Sequence, residues 1–295
     1  MVKISHFIEE PKLIINAQDL AKLITPEVIA KDQKLDIVFG VAGAIPGLLS
    51  LYQETQDKSI FDTAIICGNH LLSQQTGTYP KAWKTLAEAK DNPMTGFSHG
   101  ASGIALSLLR LYSATSNTAY LEAAKEGIEY ERSVFDKSLK RWTDFRLSKQ
   151  TNQLDVIYAW CNGTPGIGLA RLGSLPIIAT EESYSNIEIA LDMTQKYELF
   201  NGSRDVDYLC CGSLGRTELF ILASEKLDNQ DWLTFARQNT ALIVSQAKEN
   251  SEYRLLPHLP DSALSPSFFK GSAGLGYQFL RLANLQSLPS VLILE

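Results

Sequence analysis

Gly100-Ala101-Ser102-Gly103 runs directly into Ile104, Leu108, Leu109 and Tyr112, an apolar series at helical spacing. The stretch reads as a glycine tetrad that opens a helix. The same arrangement returns at Gly40/Gly43, followed by Ile45, Leu48, Leu49 and Tyr52, and again at Gly163/Gly166, Gly212/Gly215 and Gly271/Gly274. The first glycines of the five tetrads lie 60, 63, 49 and 59 residues apart. Repetition at that length signals an array of supersecondary units. A second amphipathic stretch fills most intervals, as from Tyr120 to Phe135 and from Asp231 to Gln246, so one repeat is two helices and their connections. The glycines let the backbone turn tightly and helix ends approach closely. If such hairpins close into a ring, equivalent loops share one rim, and function is expected there.

The positions just before each tetrad support that expectation. Immediately before the first glycine stand Phe39, His99, Asn162, Cys211 and Lys270, and one place earlier Val38, Ser98, Cys161, Cys210 and Phe269. Three of the four cysteines and one of the four histidines of the chain fall in these ten places. Composition bounds the remainder. A chain of 295 residues with 45% hydrophobic content can bury a large core, and shared packing between repeats predicts one domain, 1–295, with 1–35 as a helical lead-in and 36–295 bearing the motifs. A net charge of −6 and a pI near 5.4 argue against a nucleic-acid binder. Met1 to Lys12 lacks the apolar core of a signal peptide, and no apolar run of about 18 residues is present to span a bilayer. A cytoplasmic protein with reduced thiols is expected. Asn16 to Lys34 reads as one polar-faced helix, with Pro26 close to a turn.

Adjacent Cys210 and Cys211 would form a strained ring if joined, so the pair needs another explanation. Cys161 lies one repeat earlier in the equivalent loop, Trp160-Cys161-Asn162-Gly163. Three thiolates meeting on the rim would suit zinc, with a fourth position left open as in catalytic sites. The alternative is that the cysteines are small buried apolar residues, the reading given to Cys67 in Ala64-Ile65-Ile66-Cys67. His99 is either a satisfied structural histidine or a rim imidazole. Asp36, four residues before Gly40, either accepts backbone amides at a loop or acts with an imidazole in proton transfer. His6, His70 and His258 occupy no repeated position.

Asp36-Ile-Val-Phe-Gly-Val-Ala-Gly43, Gly96-Phe-Ser-His-Gly-Ala-Ser-Gly103, Trp160-Cys-Asn-Gly-Thr-Pro-Gly166, Cys210-Cys-Gly-Ser-Leu-Gly-Arg216 and Phe269-Lys-Gly-Ser-Ala-Gly274 together resemble the lanthionine cyclases. The resemblance is closest to the C-terminal LanC-like domain of class II lanthipeptide synthetases (LanM), and covers Asp36 to Glu295. It implies an all-α, double-layered α/α toroid whose inner helices begin at the glycine tetrads. It implies a zinc ion held by Cys161, Cys210 and Cys211. It also implies thioether ring formation, in which a peptide cysteine thiol adds to dehydroalanine or dehydrobutyrine, with His99 and Asp36 as the catalytic acid–base pair.

Departures from the family pattern shape further expectations. Many relatives use histidine as the third ligand, so Cys211 gives an all-thiolate set with a more electron-rich substrate sulfur. Asn162 stands where many relatives have tyrosine or histidine, and Ile157 where class I cyclases carry arginine, so those roles do not transfer. Trp160 packs the substrate or the cysteine loop, or is a buried rim aromatic. Arg216 counters an anionic zinc site or is a helix-surface arginine. With 35 residues before Asp36 and no counterpart of the class II dehydratase, a lead-in short of one hairpin is expected, as is a dehydrated precursor peptide supplied by a separate dehydratase. The other readings are a non-catalytic zinc- or peptide-binding module and an α/α-toroid glycosidase with two carboxylates.

Overall fold

The computed structural model describes residues 1–86, 92–146, 158–201, 206–255 and 265–295. Twelve α-helices lie among them, with a two-stranded hairpin as their one sheet. The chain forms two compact units: Met1–Met94 with Ser98–Val134, and Thr95–Phe97 with Phe135–Glu295.

The first unit begins with α1 (Val2–Phe7), α2 (Lys12–Ala21) and α3 (Pro26–Ala30). The single helix expected from Asn16 to Lys34 is therefore broken. Pro26 has no amide hydrogen to continue a helix, and Thr25 takes an extended conformation whose hydroxyl accepts from the Val28 amide, starting a new one. Two hairpins follow, α4 (Val41–Thr55) with α5 (Lys58–Gln74), and α6 (Ala101–Thr115) with α7 (Thr118–Ser133); α4 also packs on α6. The second unit holds β1 (Phe135–Asp136) antiparallel to β2 (Arg141–Trp142), then α8 (Thr164–Ser174) against α9 (Glu181–Asn201) and α10 (Ser213–Lys226) against α11 (Gln230–Asn250). It ends in α12 (Ser272–Ala283) and a 3₁₀ turn, Val291–Ile293. Every tetrad helix read from the sequence is present.

The two helices of a hairpin start differently, and the sequence shows why. Three of the four second helices, α5, α7 and α11, carry an Asx cap: the side chains of Asp57, Asn117 and Asn229 accept from the amides of Ser59, Ala119 and Asp231 at 2.9, 3.1 and 2.9 Å. The residue just before each cap, Gln56, Ser116 or Asp228, is left-handed, which closes the turn. First helices have glycine caps without a side chain to bond, so their free amides are met by the preceding loop. Ala101, Ser213 and Ser272 donate to the carbonyls of Met94, Val206 and Ser265, each seven residues back, at 3.0, 2.9 and 2.8 Å.

That folding-back of the loop explains the second glycine of the tetrad. A Cβ on Gly43, Gly166, Gly215 or Gly274 would lie 2.0, 2.2, 1.9 or 1.8 Å from the carbonyl oxygen six residues earlier. The residue contributing that oxygen is Ile37, Trp160, Leu209 or Phe268. Close approach, rather than an unusual dihedral, demands glycine there. At Gly163 the reason is the backbone, since its φ is +108°. The loop residues ahead of each tetrad are thereby pinned over the start of a buried helix: α10 is buried from Ser213 to Ser224, and α6 from Ala101 to Leu109.

Candidate metal centre and proton-transfer pair

The loops before α8 and α10, both in the second unit, bring three thiols together. Cys161 Sγ lies 3.2 Å from Cys211 Sγ, which lies 3.4 Å from Cys210 Sγ. The three sulfurs all fall within 4.8 Å of one another. Tetrahedral zinc with Zn–S bonds of about 2.3 Å requires sulfurs roughly 3.8 Å apart, so a small opening of this triangle accommodates the ion. Among the described residues the cluster has three members, the ligand number of zinc sites that keep a position for water or substrate.

The electrostatics fit a dication as well. Hydrogen bonds with Cys161 and Cys210, aided by the charges of Lys270 and Arg146, draw the pKa of Cys211 down to about 3. Cys161 is pushed up by its hydrogen bonds with Cys210 and Cys211 and by burial. Cys210 is drawn down by its bond with Cys161 but raised more by Cys211 and burial, ending at about 12. Metal binding to converging thiols releases protons, so a cation in the triangle would take their place. Cys67 lies apart, fully buried on α5, and burial lifts its thiol to about 12, in keeping with a core residue.

Buried anchors fix the cysteine loops. Trp160 is a buried rim aromatic that holds the loop: its indole donates to the Leu292 carbonyl at 2.7 Å, and its ring stacks on Phe269 at 5.1 Å. The amide of Cys210 donates to the Phe269 carbonyl at 2.9 Å, joining the fourth and fifth tetrad loops. Arg216 is not on a helix surface. It is 1% exposed and paired with Glu198, so its charge is already balanced within the core. It acts on the site as a brace, donating to the carbonyls of Cys211 at 3.0 Å and Tyr158 at 2.9 Å. Asn239 completes the arrangement, donating to Glu198 and Thr217 at 3.1 Å each.

Sequence reasoning missed two residues here. Asp144 accepts from Asn162, the neighbour of Cys161, at 2.5 Å, and grips Arg146 through Nε at 3.1 Å and Nη2 at 2.9 Å. The hydrogen bond with Asp144 and the nearby Cys161 and Cys211 sulfurs raise the pKa of Arg146, which is thereby held as a cation beside the cluster. Asn162 is thus the link between the Cys161 loop and this pair. Ile157 and His258 lie outside the described residues.

The first unit brings Asp36 and His99 together as the sequence suggested. Nδ1 of His99 lies 2.7 Å from Oδ2 of Asp36, across 63 residues of sequence. Asp36 Oδ1 accepts the amides of Val38 at 2.9 Å and Phe39 at 2.7 Å, the amide-acceptor role weighed for it, while its other oxygen meets His99. The Ile37 amide donates to the Ser98 carbonyl at 3.0 Å, and the Thr85 hydroxyl donates to that of His99, which ties the two loops. Asp36 has no exposed surface, whereas the His99 side chain keeps 18%. The carboxylate can therefore only accept and orient; the imidazole alone can meet a ligand. His6 and His70 serve elsewhere, bonded to Glu54 and to the Asp32 carbonyl.

The fold agrees with comparisons to known proteins. Residues 1–293 match the family described as lanthionine synthetase C-like protein. The chain is 28% identical over 149 residues, 47% of its length, to the lacticin 481/lactococcin biosynthesis protein LcnDR2 of Lactococcus lactis subsp. lactis, of which it spans 15%. Among solved structures it is similar to nisin cyclase, with a TM-score of 0.65, 17% identity, and coverage of 88% of this chain and 66% of that one. A sugar epimerase from a ruminal bacterium aligns more loosely, with a TM-score of 0.50, 16% identity, and 71% and 58% coverage. The chain therefore spans less than two-thirds of the first relatives it matches. The likeness to nisin cyclase establishes the all-α, α/α-toroid fold class expected from the tetrads. With its family match running nearly end to end, the chain belongs to the lanthionine synthetase C-like family.

Proposed function

We propose that this chain is a zinc-dependent lanthionine cyclase, one LanC-like domain working on a precursor peptide that has already been dehydrated. The observation that carries the reading is the cluster of Cys161, Cys210 and Cys211 sulfurs within 4.8 Å, in a chain of this family. Zinc, when bound, supplies a thiol-activating Lewis acid, lowering the pKa of a peptide cysteine from about 8.5 so that its thiolate is available at neutral pH. Cys161, Cys210 and Cys211 would hold the ion. As the sulfur bonds the β-carbon of dehydroalanine or dehydrobutyrine, the alkene π pair passes to the α-carbon as an enolate, which must then gain a proton.

His99 is assigned that proton transfer. A carboxylate accepts but does not donate, so Asp36 keeps the hydrogen of His99 on Nδ1 and turns Nε2 outward. Nε2, whose lone pair is free in that tautomer, takes the proton that the peptide thiol releases and gives it to the α-carbon, so the product has the mass of the substrate. The complete burial of Asp36 supports an orienting role over direct contact with the peptide. A cytoplasmic location follows from the reduced thiols this chemistry needs. No helix among the described residues is long and apolar enough to cross a membrane.

The test is direct. Purified protein should hold about one zinc per chain, released by Cys161→Ala, and should consume the free thiol of a dehydrated, cysteine-containing precursor with no change in mass. His99→Ala should slow ring formation while zinc stays bound. Zinc retention with unchanged thiol content in the wild type would instead assign a non-catalytic zinc- and peptide-binding module.

A further inference from the structure

Phe39 and Val38 occupy the two repeat positions that carry His99 and Ser98 in the second tetrad loop, and Cys211 and Cys210 in the fourth. In the first loop these places hold apolar groups, and both are exposed: Phe39 by 68% and Val38 by 47%. The Phe39 ring lies nearly parallel to the His99 imidazole, with centroids 5.9 Å apart and 16° between the planes. The backbone of the pair is also tied down. Both amides are held by Asp36 Oδ1, the carboxylate whose other oxygen orients His99, and the Gly40 amide closes the turn onto the Asp36 carbonyl at 3.2 Å. One buried carboxylate thus sets the imidazole and an exposed apolar surface in fixed register.

We propose that Val38 and Phe39 form a specificity subsite that receives an apolar side chain of the peptide next to the dehydrated residue, a role that rests on the assignment of His99 above. An aromatic on an anchored backbone, stacked beside the imidazole, aligns the chain of a flexible peptide for it. Water leaves the Phe39 face when such a side chain docks, which favours apolar over polar neighbours. Phe39 acts on which peptide is held and where, whereas the proton moves through His99.

The test uses zinc-loaded full-length protein and two short peptides, each with one cysteine and one dehydroalanine, differing only in whether leucine or serine adjoins the dehydroalanine. Binding is followed by fluorescence anisotropy and ring formation by thiol loss. The wild type should favour the leucine peptide by about tenfold in Kd and KM, as expected for partial burial of one side chain. Phe39→Ser should abolish that preference with the pH profile of kcat unchanged, and Phe39→Leu should retain most of it. Because the preference is a ratio within one preparation, it is insensitive to the folded fraction. A wild type that cyclises with no leucine preference, or a Phe39→Ser variant that keeps it, overturns the subsite. A shifted kcat–pH profile with unchanged preference would reduce Phe39 to a support for His99 and likewise overturn it. A Phe39-dependent binding preference without thiol loss upholds the subsite while rejecting the cyclase reading. Absence of both binding and turnover rejects both.

Discussion

Alanine at Gly215 should cost more than any surface change near the site, although it adds a single methyl group. The methyl would stand 1.9 Å from the Leu209 carbonyl oxygen, against 3.4–4 Å for ordinary contact, so that oxygen must retreat by roughly 1.5 Å. Leu209 is fully buried, and the next residue, Cys210, is fastened by its amide to the Phe269 carbonyl at 2.9 Å. Overpacking of this kind destabilises by about 1–3 kcal/mol, and a first-turn position recovers little of the roughly 1 kcal/mol by which alanine exceeds glycine in a helix interior. Gly276 is the internal control. It lies exposed in α12 with open space around its Cβ direction, so Gly276→Ala should stabilise by about 0.5–1 kcal/mol. Urea unfolding followed by tryptophan fluorescence should therefore separate the two variants by about 2–4 kcal/mol, with the same slope. Gly215→Ala should also hold zinc less tightly, because Leu209 drags the adjoining cysteines with it. Equal midpoints for the two variants would refute the close-approach account of the tetrads.

Three other perturbations follow from the same structure. Arg216→Met should destabilise by about 3–5 kcal/mol in urea unfolding, because Glu198 is left charged and buried, and Arg216→Met with Glu198→Gln should recover part of the loss. Asp36→Asn should lower the cyclisation rate by roughly 10²–10⁴ with zinc content unchanged, since an amide can turn its NH₂ toward Nδ1 and reverse the tautomer. Asp57 caps α5, and the Ser59 hydroxyl and amide hold its carboxyl below the usual 3.8. A depressed folded pKa stabilises above the unfolded value and fades as pH falls through it. The Tm advantage of wild type over Asp57→Asn should thus be present at pH 7 and shrink as pH falls below 3.8. A gap independent of pH would show that the carboxylate charge is not what caps α5.

The repeat architecture was legible because its determinants are local. A glycine needed for carbonyl approach six residues away, and an Asx residue capping the next helix, both sit within one short stretch of sequence. The cysteine cluster was legible because repeat equivalence placed Cys161 with Cys210 and Cys211. His99 stood out in the same way, and Asp36 by its place four residues before Gly40 in an otherwise apolar stretch. What escaped depends on long-range pairing. Arg216 looks like a surface residue until Glu198, on the preceding helix, is seen to meet it in the core. Asp144 and Arg146 follow the β1–β2 hairpin, outside any repeated position, so periodicity gave them no signal. The break between α2 and α3 was obscured by apolar spacing that continues through Pro26; the Thr25-Pro26 pair was the local signal that should have outweighed it.

The central claim is that three thiolates and no other protein group hold the metal. X-ray absorption at the zinc edge of the loaded protein tests it most directly, and should return three sulfur neighbours at about 2.3 Å and one lighter atom at about 2.0 Å. The sulfur count should rise to four when a cysteine-containing peptide is added. A shell of nitrogen and oxygen alone, or a spectrum unaltered by Cys161→Ala, would contradict the account.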